Sequence, residues 1–246
     1  MAKASPAEQL RLLDLQALDS RIRKLRSEAR AAAGNPEIAA AQGRRDEARH
    51  AAAEADGAVS AAEREITKAE DDVAAVTGRL ERNQARLDSG TGTSKDLTAL
   101  QHEIESLTRR RSDLEDVELE AMERLEELRG TADAARQVLD RAVGELAVLE
   151  QARDAELQRI RGEEGTALQQ RAELAGTFEP GLLALYEKTL DRHGVGAARL
   201  FHGSSEGSGM QLSPGDLADI RRAAEDDVVF CPDSGCILVR SAEWGS

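Results

Sequence analysis

The sequence predicts a mainly α fold: a long antiparallel coiled-coil hairpin followed by a small C-terminal α+β module. Three observations carry this. Apolar residues recur at alternating spacings of three and four over most of residues 59–149. Proline is absent between Pro36 and Pro180. After residue 176 the pattern changes to short apolar runs punctuated by glycine. A 3.5-residue repeat is the seam of a coiled coil, and without proline nothing interrupts the helical hydrogen-bond ladder.

The first helix is expected at about residues 6–33, where Leu12, Leu15, Leu18, Ile22 and Leu25 form an apolar stripe. It ends near Gly34-Asn35-Pro36; Asn35 suits a cap and Pro36 the first position of the next helix. That second helix carries the seam Val59, Ala62, Ile66, Ala69, Val73, Val76, Leu80, Asn83 and Leu87, and alanine at Ala41, Ala48, Ala52 and Ala55. Asp88-Ser89-Gly90-Thr91-Gly92-Thr93-Ser94 breaks the pattern with turn-forming residues and places the tip at about 88–95. Thr93 or Ser94 supplies a hydroxyl to cap the return helix.

The return seam runs Leu97, Leu100, Ile104, Leu107, Arg111, Leu114, Glu118, Ala121, Leu125, Leu128 and on through Ala132, Leu139, Leu146 and Leu149. A short loop makes the two helices antiparallel neighbours, pairing Leu87 with Leu97, Leu80 with Ile104 and Val59 with Leu125. Arg111 and Glu118 read as side chains that snorkel out of the seam. Gly130, Gly144, Gly162 and Gly165 lower the helix propensity of the return arm. The helical hairpin domain is set at residues 1–176 and a C-terminal domain at 177–246.

In the second domain Glu179-Pro180-Gly181 opens a helix that His193-Gly194 closes. Strands are expected at 197–201, 228–230 and 237–240, with a helix at 214–224 capped by Ser213. Ser205-Glu206-Gly207-Ser208 and Cys231-Pro232-Asp233-Ser234 are laid out as the two knuckles of a four-ligand zinc ribbon. Serine occupies three of the four ligand positions. Thiolate holds zinc because it is soft and ionises near neutral pH, whereas a hydroxyl stays protonated. Ser205, Ser208, Cys231 and Ser234 are therefore vestigial positions, and no cofactor is expected. Cys231, Cys236 and His202, with Asp233 more distant, are too few good donors for a tetrahedral site. Both cysteines read as small buried residues.

The formal net charge is −14. Residues 177–246 hold 6 Lys/Arg against 11 Asp/Glu, leaving 27 against 36, or −9, for residues 1–176. Acidity in both parts weighs against nonspecific phosphate binding. The basic clusters Arg21-Ile22-Arg23-Lys24-Leu25-Arg26 and Arg109-Arg110-Arg111 are diluted by Glu28, Glu105, Asp113 and Glu115. No apolar run approaches the ~20 residues that cross a bilayer, and residues 1–26 lack a signal-peptide core. Two cysteines make no disulfide framework, so the expected compartment is the cytoplasm. Catalytic patterns are missing: Gly90-Thr91-Gly92-Thr93 joins two helices and lacks the lysine of a phosphate loop, and His50 and His102 fall on helix faces.

Several stretches resemble the bacterial C4-type zinc-ribbon family with an N-terminal coiled-coil hairpin. They are Lys95-Asp96-Leu97-Thr98-Ala99-Leu100-Gln101-His102-Glu103-Ile104 after the tip, Leu183-Ala184-Leu185-Tyr186-Glu187-Lys188, Met210-Gln211-Leu212, Cys231-Pro232, and Gly235-Cys236-Ile237-Leu238-Val239-Arg240. The family carries CxxC in both knuckles, so the resemblance implies zinc, while this donor set implies a degenerate, zinc-ribbon-like module. The resemblance also implies interaction or chaperone-like work in secretion, flagellar and transcription-factor pathways. The expected function is a non-enzymatic cytoplasmic adaptor or chaperone-like scaffold that contacts protein partners through Lys95, Asp96 and Leu97 at the tip. The alternative is an RNA-binding regulator that uses the ribbon-like domain. A self-associating spacer is a third reading.

Overall fold

The computed structural model describes residues 3–241 and residue 244. The outermost residues of both expected domains (1, 2, 242, 243, 245 and 246) lie outside the described residues. Local chemistry sets the helix ends. At the start of α1 (Pro6–Ala33), Ser5 Oγ accepts from the Glu8 N–H and the Glu8 carboxylate accepts from the Ser5 N–H, both at 3.2 Å. Next come α2 (Pro36–Asp88) and α3 (Ser94–Ala175). Thr93 caps α3: its Oγ1 accepts from the Asp96 N–H at 3.3 Å, and the Asp96 carboxylate accepts from the Thr93 N–H at 2.9 Å. α3 runs unbroken through Gly130, Gly144, Gly162 and Gly165, each of which faces open space.

The chain divides into two compact units. One is Pro36–Gln151, the helical hairpin. Its seam buries Ala41, Ala48, Ala52, Ala62, Ala69 and Asn83 of α2, and Leu114, Leu125, Ala132 and Leu146 of α3. Ile38, Ala41, Leu146 and Leu149 pack together at the end away from the loop. Ion pairs run between the helices: Arg79–Glu103, Asp56–Arg136, Glu63–Arg129 and Arg44–Glu145. All are solvent-exposed, so each adds little stability. Arg111 forms an ion pair with Glu115 at 3.2 Å, one helical turn on, while its Nε stays buried.

The other unit joins Met1–Asn35 to Ala152–Ser246. It contains α1, the last part of α3, α4 (Pro180–His193) and a five-stranded sheet. The strands are β1 (Ala197–Phe201), β2 (Ser204–Ser205), β3 (Met210–Gln211), β4 (Val229–Phe230) and β5 (Ile237–Arg240), in the order β3-β2-β1-β5-β4. β1 and β5 are parallel; the other pairs are antiparallel. α5 (Pro214–Arg222) lies between β3 and β4 in the chain. Ser213 Oγ accepts the Asp216 N–H at 3.2 Å to cap it.

Side chains alternate across the sheet and feed two cores. Ala197, Ile237 and Val239 join Leu12 and Leu15 of α1, Phe178, and Leu182 and Tyr186 of α4. Ala198, Leu200 and Leu238 join Leu212, Ile220, Cys231 and Cys236. The N-terminal helix thus completes the core of the C-terminal module, and the compact unit is not bounded at residue 176. α5 stops at Arg222, short of the expected residue 224. The Arg240 guanidinium holds the next turn by donating to the carbonyls of Ala223, Ala224, Glu225 and Asp227 at 2.7–3.3 Å. Ala223 is extended there, and a pinned extended backbone cannot continue a helix.

Candidate functional site

The two knuckles are matched turns. Gly209 donates its N–H to the Ser205 carbonyl at 2.8 Å, and Gly235 donates to the Cys231 carbonyl at 2.9 Å. Both glycines are left-handed, with φ of 67° and 71°, a conformation that costs side chains dearly. β2 and β3, two residues each, flank the first turn and were missed in the sequence because so short a strand shows no alternation. Backbone geometry therefore brings Ser205, Ser208, Cys231 and Ser234 together.

Their polar atoms form a hydroxyl–thiol cluster. The Cys231 thiol donates to Ser208 Oγ at 3.9 Å, the Ser234 N–H to Cys231 Sγ at 3.5 Å, and the Ser234 hydroxyl to Cys236 Sγ at 3.1 Å. Ser205 is fully buried, and its Oγ accepts the Gly207 N–H at 3.3 Å. Burial pushes the Cys231 thiol up, but hydrogen bonds from Ser205, Ser234 and the backbone of Ser234 and Asp233 outweigh it and hold the thiol below its usual value. Cys236 has fewer such partners, and burial raises it. Both cysteines are free and buried.

This donor set does not fit zinc. One cysteine and three neutral hydroxyls offer a single good thiolate where four N or S ligands are needed. Cys236 Sγ accepts from the Ser234 hydroxyl and packs against Gly207, where a Cβ would come within 2.6 Å of it. Among the described residues, no group of three or more His, Cys, Asp or Glu is disposed to hold a metal ion.

Lys95, Asp96 and Leu97 belong to the hairpin unit and the knuckles to the other unit. Lys95 is exposed and Leu97 half-buried. Asp96 serves the helix cap, and hydrogen bonds from the hydroxyl and N–H of Thr93 hold its carboxyl below the usual range. The basic cluster on α1 is largely paired: Arg26 with Glu164 at 2.7 Å, Arg21 with Glu163 at 3.6 Å and Lys24 with Glu28 at 3.8 Å.

A polar network that sequence reasoning missed anchors the sheet to the helices. The Tyr186 hydroxyl donates to Asp19 at 2.8 Å, and Arg171 bridges Asp19 at 2.6 Å and Glu187 at 2.7 Å. Gln16 Oε1 accepts the N–H groups of Gly196 and Ala197 at 2.7 and 3.2 Å. Tyr186 lies so close to Gly196 that a Cβ there would sit 2.4 Å from its ring. Burial, then the bond to Asp19, raises the Tyr186 phenol far above its ordinary value. A lone tyrosine in an otherwise ring-poor chain was the one available signal.

Comparisons with known proteins agree with this architecture. The family model of the CT398-like coiled coil hairpin domain matches residues 15–194, and that of the C4-type zinc ribbon domain matches residues 204–238. An uncharacterized protein of Mycobacterium tuberculosis (strain H37Rv) is 38% identical over 245 residues, covering 97% of each chain. A solved structure from Mycobacterium smegmatis superposes with a TM-score of 0.84 at 30% identity, over 97% of this chain and 100% of that one. CT398 from Chlamydia trachomatis has the same fold, with a TM-score of 0.64 at 18% identity over 96% and 98% of the two chains.

Proposed function

The chain belongs to the family of CT398-like coiled-coil hairpin proteins, and on that premise we propose that it is a non-enzymatic cytoplasmic adaptor or chaperone-like scaffold. The hairpin presents its loop and flanks to protein partners, and residues 177–246 serve as a docking module. One observation carries the reading. α3 leaves large apolar side chains exposed beside its seam: Val117 and Val138 on one side, Met122 and Val143 on the other. Each pair is three heptads apart, so both members face the same way. Apolar surface aligned on a stiff helix is what a protein partner buries. Lys95 and Leu97 at the loop are a separate contact point, while Asp96 holds the cap. Pairing of Arg21, Lys24 and Arg26 with carboxylates speaks against an RNA-binding role. Among the described residues, no helix is long and apolar enough to cross a membrane.

A crosslinked pull-down of the tagged chain from its own cells, with and without nuclease, tests this. The expected result is a defined protein partner that survives nuclease and is lost from the Met122→Ser/Val143→Ser variant. Capture that vanishes with nuclease, with crosslinked RNA in the untreated sample, would replace the adaptor by the RNA-binding regulator.

A further inference from the structure

The knuckle turns keep the backbone of a metal site without its ligands. Each closes with the same N–H to carbonyl bond and the same left-handed glycine, Gly209 or Gly235. In a tetrahedral zinc site, a Zn–S bond of about 2.3 Å sets the sulfur–sulfur edge at about 3.8 Å. Cys231 Sγ lies 3.9 Å from Ser208 Oγ, which belongs to the opposite turn. Ser234 of the second turn reaches the same thiol through its backbone N–H at 3.5 Å. Cys231 and Ser208 thus face each other across the two turns at nearly the spacing zinc requires, yet three of the four ligand positions carry hydroxyls that do not ionise.

We propose that this ribbon folds without metal, with the Ser205, Ser208, Ser234 and Cys231 cluster in place of zinc, and that it retains a latent tetrahedral site which serine-to-cysteine replacement restores. Two features make the metal dispensable. The Cys236 sulfur, buried at the second turn, packs against Gly207 of the first; a methyl group on Gly207 would be 2.6 Å from that sulfur and 2.9 Å from Ala198 Cβ. This contact ties the turns together from the side. Behind it, Leu200 and Leu238 are fully buried and Leu212 and Ile220 nearly so, giving the turns an apolar floor. Neutral hydroxyls suit that floor, because Ser208 accepts from the Cys231 thiol and Ser234 donates to Cys236 without the repulsion that unmetallated thiolates would bring. Docking by the ribbon is then indifferent to zinc supply.

The test uses the full chain under reducing conditions, with zinc(II) and cobalt(II) as probes. After exchange against a chelator the wild type is expected to keep less than about 0.1 zinc per chain, and its thermal midpoint to move by less than about 1 °C. The Ser205→Cys/Ser208→Cys/Ser234→Cys variant is expected to hold about one metal per chain, with the ligand-field bands of tetrahedral thiolate-bound cobalt(II) and a chelator-sensitive midpoint. Should that variant fail to fold, Ser208→Cys/Ser234→Cys alters only the two half-buried positions and supplies three thiolates with Cys231. Stoichiometric zinc in the wild type, or a midpoint lowered by chelator, would overturn metal independence. A folded cysteine variant without cobalt bands would overturn the latent site.

Discussion

Asp19→Ala removes the acceptor on which the buried polar network turns. In the wild type one carboxylate oxygen takes Arg171 Nε at 2.6 Å and the other takes the Tyr186 hydroxyl at 2.8 Å. Gln16 cannot substitute, since its oxygen already serves two backbone N–H groups and lies 3.4 Å from the phenol. The variant thus leaves a fully buried hydroxyl without a good acceptor, a loss of about 1–3 kcal/mol. It also leaves Arg171 with Glu187 alone. Breaking a buried ion pair costs about 3–5 kcal/mol, but the Arg171 side chain is 21% exposed and keeps one carboxylate, so this part falls well below that range. The expected total is about 3 kcal/mol, or roughly 10 °C in the midpoint of this unit. Urea unfolding followed by intrinsic fluorescence reads it, because the single Trp and the single Tyr both belong to the unit. Tyr186→Phe in the same background should recover about 1 kcal/mol of the sum as coupling. A loss under about 1 kcal/mol, or strict additivity, would refute the shared-acceptor argument.

The folded pKa of Tyr186 is raised, so its contribution to stability is complete below the unfolded value of about 10 and disappears as pH climbs above it. Phenolate absorbance, which reports this one residue, should therefore rise only together with loss of helical circular dichroism above about pH 10; ionisation of the folded chain near that pH would contradict the burial. Gly196→Ala should destabilise by about 1–3 kcal/mol because its Cβ meets the Tyr186 ring, whereas Gly130→Ala should stabilise by about 0.5–1 kcal/mol because it faces open space in a helix. Equal signs in thermal unfolding would show that packing does not decide these positions. At the tip, Thr93→Ala should cost about 1 kcal/mol and speed amide exchange over residues 94–97, while Lys95→Glu should leave exchange unchanged and reduce partner capture. Unchanged capture by Lys95→Glu would remove Lys95 from the binding surface.

Much of this architecture is written in local pattern. The 3.5-residue spacing from Val59 to Leu87 and from Leu97 to Leu149 specifies two helices and the face each buries, and glycine with serine and threonine at 89–94 specifies the reversal. Pro180, Pro214 and their capping residues mark helix starts that the structure keeps. The knuckle spacing was visible too, as was the chemistry of three serines in ligand positions. These features depend on neighbours within about one helical turn, or on side-chain chemistry alone.

The sequence by itself determined a helical hairpin, a ribbon-like module and a donor set ill-suited to zinc. Tertiary structure alone decided that α1 belongs to the core of that module. It also decided that Asp19 and Gln16 reach Tyr186, Arg171 and the backbone of Gly196, and that Cys236 packs against Gly207. Those contacts join residues more than 150 positions apart in the case of Asp19 and Gln16, and from opposite turns in the case of Cys236. Amphipathic periodicity says which face of α1 is apolar but not which surface covers it, because burial is non-directional and many surfaces would serve. Only when the sheet, the close approach at Gly196 and the paired charges are assembled does one arrangement satisfy the Tyr186 hydroxyl, the Arg171 guanidinium and the Gly196 and Ala197 N–H groups at once.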